Sequence, residues 1–273
     1  MRAMLPAKKG LGQNFLASEA VAKRIVDAIA PAPADLVFEI GPGRGALTKP
    51  LARSGASVVA YEIDGALVEL LREMFEACGN VEIRYGDIRA VDFDEEARKR
   101  GRTSYKLVGN IPYNLTGTIL IDLARWRMLS AAAVMVQREV GDRILTEPGK
   151  RNCGILSIFL RTYFIMNKVL KVRPGSFMPP PKVESVVLKF VPHTPGKGPE
   201  DRGAFLHFLK GCFSHRRKKL RNILGVLLEL ETAMDLDRLS ELSGVDFGMR
   251  PEELSLERWF DLFAASRRVK GLR

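Results

Sequence analysis

Short apolar runs alternate with amphipathic stretches over the first two thirds of the chain. The apolar runs are rich in Val, Ile and Leu, which is typical of strands that are buried on both faces of a sheet. The stretches between them carry apolar residues at helical spacing, and Ser18 is a suitable N-cap for the first of them. The alternation predicts an α/β fold with a doubly wound, mostly parallel sheet. The predicted strands are 36–40, 58–63, 81–85, 105–108, 131–136, 169–172 and 183–191, and the predicted helices are 18–30, 46–53, 64–77, 115–126 and 153–164.

The pattern changes after residue 192. The segment 193–199 is rich in proline and glycine and is predicted to be a linker. We therefore expect an α/β domain over 1–192 and a small, all-helical domain over 200–273. Beyond the linker only helical periodicity occurs, with predicted helices at 205–213, 218–230 and 254–265.

Polar or glycine residues lie at the ends of the first three predicted strands. The first strand runs into Gly41-Pro42-Gly43-Arg44-Gly45, Glu62 lies at the end of the second, and Asp87 follows the third. In open α/β sheets, ligands bind at the carboxyl ends of the strands. Glycines let the backbone approach a ligand closely, and the helix that follows offers free N–H groups. Glu62 is placed to accept hydrogen bonds from a ribose, and Asp87 to accept one from an adenine amino group.

The segment Asn110-Ile111-Pro112-Tyr113 follows the fourth predicted strand. Its amide can donate and accept hydrogen bonds, its proline stiffens the backbone, and its aromatic ring can stack on a flat π-system. This combination suits a flat, amino-bearing ring such as adenine. Because stacking uses the ring alone, Tyr113→Phe is expected to keep most of the activity.

The glycine loop does not by itself identify the cofactor. Gly41, Gly43 and Ala46 also satisfy the relaxed dinucleotide pattern, and Glu62 lies about 20 residues further on, where an NAD enzyme keeps its ribose acid. A dehydrogenase therefore remains an alternative on these residues. A nicotinamide half-site with a catalytic acid or base is not evident, because the three histidines lie in the predicted linker and the helical tail: His193, His207 and His215.

The net charge of +11 favours a polyanionic partner, with nucleic acid first and an anionic membrane surface second. Residues 200–273 hold 14 Lys and Arg against 12 Asp and Glu, so most of the excess lies in the α/β domain. A local basic run, Arg216-Arg217-Lys218-Lys219 with Arg221, lies at a predicted helix start. Such a run can be a solvated helix face, but cations at a helix start oppose the macrodipole, which slightly favours a role in contacting phosphate.

The cysteines and the apolar content indicate the cellular compartment and argue against some kinds of site. Cys78, Cys153 and Cys212 are far apart and form no C-x-x-C pair, which argues against a disulfide framework and against a zinc site. No apolar stretch is long enough for a membrane span, and residues 1–9 lack the apolar run of a signal peptide. We expect a cytoplasmic protein that has no bound metal and no membrane partner.

Six short motifs follow one another between residues 8 and 185. In this order they closely resemble those of the rRNA adenine N6-dimethyltransferases, and within that family the branch that modifies the bacterial small subunit during ribosome biogenesis. The segment Phe213 to Asn222 extends the resemblance into the helical tail and favours this branch over the related large-subunit enzymes of macrolide resistance. The motifs are Lys9-Gly10-Leu11-Gly12-Gln13-Asn14-Phe15-Leu16, Glu39-Ile40-Gly41-Pro42-Gly43-x-Gly45-x-Leu47-Thr48, Tyr61-Glu62-Ile63-Asp64, Gly86-Asp87, Asn110-Ile111-Pro112-Tyr113-Asn114 and Phe177-x-Pro179-x-Pro181-x-Val183-x-Ser185.

The resemblance implies a Rossmann-like class I methyltransferase fold, with seven strands of which one is antiparallel, followed by the helical domain. It implies S-adenosylmethionine as methyl donor and, as substrate, two adjacent adenosines near the 3′ end of small-subunit rRNA, each of which receives two methyl groups. The implied cofactor-binding residues are Gln13, Asn14, Leu16, Gly41, Gly43, Glu62, Ile63, Asp87, Ile88 and Asn110. The residues assigned to RNA contact are Lys8, Lys9, Arg216, Arg217, Lys218, Lys219 and Arg221. We expect a monomer whose partner is the immature small subunit.

A mechanism for such a site can be stated as a hypothesis. The side-chain carbonyl of Asn110 and the backbone carbonyl of Ile111 would accept the two N6 hydrogens of the target adenine, and Pro112 would keep these carbonyls aimed. Tyr113 would stack on the base, and Phe177 would cover its opposite face. A non-catalytic RNA-binding assembly or transcription factor on the same scaffold is the alternative from another class. Such a factor could tolerate loss of Asn110 or Glu62, and this chain keeps both.

Overall fold

The computed structural model describes residues 13–194, 196–215, 217–230 and 232–271. It divides into two compact units. The first comprises the chain up to Gly141 together with Ile165–Pro192, and the second comprises Asp142–Phe164 together with the chain from His193 onward. The predicted boundary after residue 192 lies where the chain enters the second unit for the second time. The segment 142–164, predicted to belong to the α/β domain, belongs to the second unit instead.

The first unit is built around a seven-stranded sheet. The strands of the described chain are β1 (Phe15–Leu16), β2 (Leu36–Ile40), β3 (Ser57–Glu62), β4 (Val81–Tyr85), β5 (Tyr105–Asn110), β6 (Leu129–Gln137), β7 (Phe164–Val172), β8 (Phe177–Met178) and β9 (Ser185–Pro192). The order in the sheet is β4-β3-β2-β5-β6-β9-β7. Strands β2 to β6 pair in parallel, and β9 pairs antiparallel with β6. The predicted mostly parallel α/β sheet is therefore confirmed.

Helices follow most of the strands, as the alternating pattern predicts. Side-chain caps mark the starts of two of them: Ser18 Oγ accepts from Val21 N, and Asp64 Oδ1 accepts from Ala66 N. The helices are α1 (Glu19–Ile29), α2 (Thr48–Arg53), α3 (Gly65–Phe75), α4 (Phe93–Lys99), α5 (Thr116–Leu123), α6 (Arg138–Leu145), α7 (Ile155–Tyr163), α8 (Arg202–Phe213), α9 (Leu220–Leu227), α10 (Ala233–Ser243) and α11 (Leu256–Gly271).

The sheet of the first unit is covered on both faces, which explains why all five residues of β2 are buried. Aromatic rings pack on one face, with the Phe93 ring centroid 4.7 Å from that of Phe38 and 4.8 Å from that of Trp126. An aliphatic cluster that includes Ile25 and Leu51 lies under α1 and α2. These two layers hold the carboxyl ends of the central strands in a fixed arrangement.

The sequence pattern does not predict several elements correctly. Helix α4 is missed because its residues after Phe93 are mostly charged, so a single buried ring anchors it rather than an apolar stripe. Strand β7 begins at Phe164, five residues before the predicted start, and α10 lies in a stretch where no element was predicted. The strands β1 and β8, of two residues each, form a separate antiparallel ribbon. A strand of two residues is too short to show a period.

The second unit contains the helices of the carboxyl-terminal part of the chain and the segment 193–199. Its core is aromatic: the buried Trp259 ring stacks on Phe213 with the centroids 5.7 Å apart. The predicted linker packs on this unit, because the Tyr163 hydroxyl donates to the Pro199 carbonyl at 3.0 Å and His193 N donates to the Tyr163 carbonyl at 2.9 Å. Within the ranges that the structure describes, no helix is both long and apolar enough to cross a membrane.

Candidate active site

The glycine loop after β2 has a left-handed backbone at three positions. The φ angles of Gly41, Gly43 and Gly45 are +63°, +58° and +78°. Gly43 also packs closely, since a Cβ there would lie 2.9 Å from Cδ1 of Phe15. Side chains other than hydrogen are disfavoured at such positions on both counts. The loop can therefore follow a path that larger side chains would block, which leaves room for a ligand to approach its backbone at the edge of the sheet.

A small residue in β5 brings the next strand end close to this loop. A Cβ on Gly109 would lie 3.0 Å from Cβ of Ile40 in the neighbouring β2. At the following position, the main-chain oxygen of Asn110 would lie 3.6 Å from a Cβ built on Gly41. The close approach of the two strands therefore places Asn110 directly beside the glycine loop.

The Glu62 carboxylate closes the other side of the loop. Its Oε2 accepts from Gly43 N at 3.1 Å, and its Oε1 accepts from Ile63 N at 2.9 Å and from Asp64 N at 3.0 Å. Burial raises the pKa of Glu62, and the three backbone N–H groups partly offset that rise. Since a carboxylate offers about four lone-pair directions, these bonds leave about one, on Oε2, for a ligand hydroxyl.

The Asn110 amide is oriented by the segment before α1. Its Nδ2 donates to the main-chain oxygen of Asn14 at 3.0 Å. This bond uses the donor side of the amide and leaves the carbonyl Oδ1 as the acceptor for a ligand. The same segment is anchored at Gln13, whose Nε2 donates to Oδ2 of Asp64 at 3.1 Å. Gln13 therefore braces the turn after β3.

The structure gathers most of the predicted site in one pocket. Ile63 is 44% exposed there, so its side chain offers an apolar surface to a ligand. The predicted cofactor residues that line the pocket are Gln13, Asn14, Leu16, Gly41, Gly43, Glu62, Ile63 and Asn110, and the predicted target-base residues that line it are Ile111, Pro112 and Tyr113.

Asp87 and Ile88 do not line this pocket, although they lie at the same edge of the sheet. Gly86 N donates to the Glu62 carbonyl at 2.9 Å, which places the two strand ends side by side. Both carboxylate oxygens of Asp87 accept hydrogen bonds from the Arg89 guanidinium, which holds the pKa of Asp87 below its usual value. The pair is partly exposed, so a competing donor could displace Arg89 at little cost.

Phe177 does not line this pocket. Its side chain is 5% exposed and belongs to the aliphatic core cluster of the first unit, whereas Met178 is 53% exposed. The alternation of side chains along β8, which pairs Phe177 with Leu16, turns the ring inward. On a strand of two residues, sequence motifs cannot determine which of the two side chains faces the core. The assignment of Phe177 to the face of the target base stays a prediction.

The residues assigned to RNA contact are only partly described. Lys8, Lys9 and Arg216 lie outside the described residues. Arg217, Lys218 and Lys219 are exposed in the segment before α9. Arg221 is also exposed, and its Nη2 donates to Oδ1 of Asp237 at 3.1 Å. The predicted helix start beside the basic run is thus confirmed. The contact of the basic run with phosphate stays a prediction.

Comparisons with known proteins identify the family. The family described as "Ribosomal RNA adenine dimethylase" matches residues 4–267. The chain belongs to this family. It is 40% identical to "Ribosomal RNA small subunit methyltransferase A" of Geobacter metallireducens over 270 residues, which cover 97% of each chain. It is also 40% identical to the protein of the same name from Thermotoga neapolitana, over 96% of this chain and 92% of that one.

Solved structures of rRNA adenine dimethylases and related enzymes share the fold. A dimethyladenosine transferase from Plasmodium falciparum superposes with a TM-score of 0.79 at 24% identity, covering 94% of this chain and 98% of that one. The 23S rRNA methyltransferase ErmE gives a TM-score of 0.70 at 25% identity, covering 93% of this chain and all of that one. The class I methyltransferase fold is confirmed, and the protein is an S-adenosylmethionine-dependent rRNA methyltransferase.

The pocket of this rRNA adenine dimethylase fits S-adenosylmethionine. Glu62 keeps an acceptor direction for a ribose hydroxyl, and the half-exposed Ile63 offers an apolar surface beside it. The glycine loop leaves its backbone uncovered by side chains, and Asn110, whose Nδ2 is held by the Asn14 carbonyl, presents Oδ1 as a further polar contact. No group of three or more His, Cys, Asp or Glu side chains in the described ranges could hold a metal ion.

Gly43→Ala tests this fit. We expect the substitution to weaken S-adenosylmethionine binding about tenfold, because a left-handed backbone costs a side chain roughly 1–2 kcal/mol and the new methyl would press on Phe15. Isothermal calorimetry measures the change. Gly65→Ala is the matched control, since no atom lies within 4 Å of a Cβ built there. Equal affinities for the two variants would contradict the prediction.

Glu39 belongs to the glycine-loop motif, but no sequence pattern assigns it a role. Glu39 is fully buried in β2, and the Thr48 hydroxyl donates to its Oε2 at 2.7 Å. Burial, with the nearby Glu62 charge, raises the pKa of Glu39 to about 8. The carboxyl ties the strand before the loop to the helix after it. A carboxylate inside an otherwise apolar run is the signal that could have found it.

Glu39 makes the stability of the protein depend on pH. Between about pH 4.5 and 8 the native state keeps the proton that the unfolded chain loses, so the free energy of unfolding falls as pH rises, by on the order of a few kcal/mol. Glu39→Gln keeps an acceptor for Thr48 and should flatten this dependence. Urea unfolding at several pH values measures it, with the exposed Glu69→Gln as control. Parallel pH curves for wild type and Glu39→Gln would refute the role.

Proposed function

We propose that this protein transfers methyl groups to N6 of two adjacent adenosines near the 3′ end of small-subunit rRNA and so forms N6,N6-dimethyladenosine in ribosome biogenesis. The small-subunit methyltransferases that are 40% identical over nearly the whole chain support the choice of substrate. We further propose that it acts as a monomer in the cytoplasm. The net charge of +11 suits an rRNA substrate.

The orientation of Asn110 carries this proposal. Because Nδ2 is bonded to the main-chain oxygen of Asn14, the carbonyl Oδ1 remains as an acceptor beside the glycine loop. An exocyclic amino group is a donor that such a carbonyl recognises. The arrangement thus selects an amino-bearing base next to the cofactor loop.

The chemistry requires that the nitrogen be made a better nucleophile. The N6 lone pair of adenine is delocalised into the ring. Hydrogen bonds from N6 to Asn110 Oδ1 and to the Ile111 carbonyl would favour a tetrahedral nitrogen and free that lone pair. S-adenosylmethionine supplies a methyl group on a positively charged sulfur, which is already a good electrophile. The N6 proton becomes acidic only as the new bond forms, so the site needs positioning more than a strong base.

The base must leave its stack to reach this pocket. Tyr113 lines the pocket and provides a π-face on which a flipped adenine can stack. Pro112, with φ of −53°, stiffens the turn that carries the ring. Single-stranded or loop RNA would lower the cost of extrusion.

The proposal is tested by mapping methyl incorporation. Small subunits purified from cells that lack this methylation are incubated with the protein and tritiated S-adenosylmethionine, and the modified nucleosides are located by primer extension and mass spectrometry. We expect N6,N6-dimethyladenosine at two adjacent positions near the 3′ end of the small-subunit rRNA.

Two other outcomes would redirect the proposal. Methylation of protein-free large-subunit RNA, with intact small subunits left unmodified, would instead indicate a large-subunit enzyme of the kind that ErmE represents. Binding to small subunits without any incorporation would indicate an assembly factor on a methyltransferase scaffold. Both outcomes would refute the substrate that we propose.

A further inference from the structure

A second hydrogen bond holds the Asn110–Tyr113 segment from the opposite side. The Tyr113 hydroxyl lies 3.0 Å from Oγ of Ser185, and the two residues are 72 positions apart in sequence. Ser185 is the first residue of β9 and is fully buried. A hydroxyl on a partly exposed, pocket-lining ring is thus bonded to a hydroxyl within the body of the sheet.

The position of Ser185 is fixed by the sheet. It lies opposite Gln137 in the antiparallel β6–β9 pair. The strand β6 pairs in turn with β5, whose last residue is Asn110. Ser185 therefore sits on a rigid strand two places across the sheet from the segment that it contacts.

The segment is consequently held at both ends. Asn110 donates to the Asn14 carbonyl at 3.0 Å, and the ring of Tyr113 is tied at its far end to Ser185. Pro112 stiffens the backbone between them. With Cα and hydroxyl both fixed, the long axis of the Tyr113 side chain is held in one direction, which pre-organises the position of a stacking face.

We propose that Ser185 is a positioning residue that orients Tyr113 as the stacking platform for the target adenine. This inference rests on the proposed function and names the side chain that sets the geometry of base capture. It also changes the expectation for the Tyr113 hydroxyl. The ring stacks on the base, and the hydroxyl fixes the direction in which the side chain points. The loss of that hydroxyl should therefore weaken the capture of RNA.

A double-mutant cycle tests the pair. Tyr113→Phe and Ser185→Ala are each expected to lower kcat/KM for the RNA about five- to tenfold, mainly through a higher KM. The double variant should be no worse than the more impaired single variant, because each change removes the same hydrogen bond. Affinity for S-adenosylmethionine, measured by calorimetry, should stay within about twofold of wild type.

Matched controls separate positioning from stability. Tyr105→Phe removes a buried tyrosine hydroxyl that donates to Asp94 at 2.9 Å, away from the pocket, and Ser130→Ala removes a strand serine that donates to the Tyr105 carbonyl at 2.8 Å. Thermal melting is recorded for every variant. We expect the two controls to leave KM for the RNA unchanged.

Three results would overturn the inference: strictly multiplicative losses in the double variant, equal losses in cofactor affinity and RNA affinity, or no rise in KM for Tyr113→Phe and Ser185→Ala. All three presuppose that the wild-type protein methylates small-subunit RNA in the same assay. If the wild type is inactive on that RNA, it is the proposed substrate that fails. The Tyr113–Ser185 pair is then tested by the same cycle on the RNA that the wild type does methylate.

Discussion

Replacing Asn110 by alanine is expected to lower kcat by about 100- to 1000-fold, while affinity for S-adenosylmethionine falls by no more than about tenfold. The larger loss reflects the acceptor Oδ1, which would act on the reacting amino group. The smaller loss reflects the hydrogen bond of 3.0 Å from Nδ2 to the Asn14 carbonyl, which holds the segment before α1 against the pocket.

Asn110→Asp separates these two contributions. The aspartate keeps an acceptor oxygen but cannot donate to the Asn14 carbonyl, so kcat should fall less than in the alanine variant while cofactor affinity falls at least as much. Single-turnover kinetics with saturating cofactor give the chemical rate, and calorimetry gives the dissociation constant. Asn167→Ala, at an exposed position in β7, is the control. Equal losses of rate and cofactor affinity in Asn110→Ala would show that the residue only shapes the cofactor site.

Replacing Glu62 by alanine is expected to weaken S-adenosylmethionine binding by roughly 100-fold, with little change in kcat at saturating cofactor. Two causes act together. The ribose loses a charged acceptor, which contributes about 1.5–3 kcal/mol, and the N–H groups of Gly43, Ile63 and Asp64 lose the carboxylate that orders them.

Glu62→Gln should be intermediate, about tenfold weaker than wild type, because a neutral amide accepts at one atom only. Calorimetry measures both variants. Glu82→Ala is the control, since it removes a carboxylate from the neighbouring strand β4, where its partners are Arg84 and Arg100. Melting temperatures establish that each variant is folded. A Glu62→Ala protein that binds the cofactor as tightly as wild type would remove Glu62 from the ribose site.

The sequence predicted the pocket most accurately where residues follow strands of a parallel sheet. The carboxyl ends of adjacent parallel strands must meet at one edge, so Gly41, Glu62 and Asn110 converge whatever the details of the packing. Asp87 obeys the same rule, since its strand end lies beside that of Glu62. Its side chain nevertheless bonds to Arg89, because side-chain direction depends on neighbours that no strand pattern specifies.

The sequence indicated only some of the boundaries between the two units. The Pro- and Gly-rich segment 193–199 indicated the last of the three chain crossings between the units. The first crossing, near Gly141, lies inside helix α6, where no composition change marks it. Compactness is a property of contacts made by distant segments, and 142–164 joins the second unit by such contacts.

Taken by itself, the amino-acid sequence determined the α/β class, the polar strand ends and their order along the chain, because hydrophobic period and turn residues are local properties. The tertiary structure decided which way the side chains at those ends face. It turned Phe177 into the core, buried Glu39 beneath the loop, and tied Tyr113 to Ser185 across the sheet. The reason is physical: orientation and hydrogen-bond partners depend on strand pairing between segments far apart in the chain, and a pattern of single residues carries no information about that register.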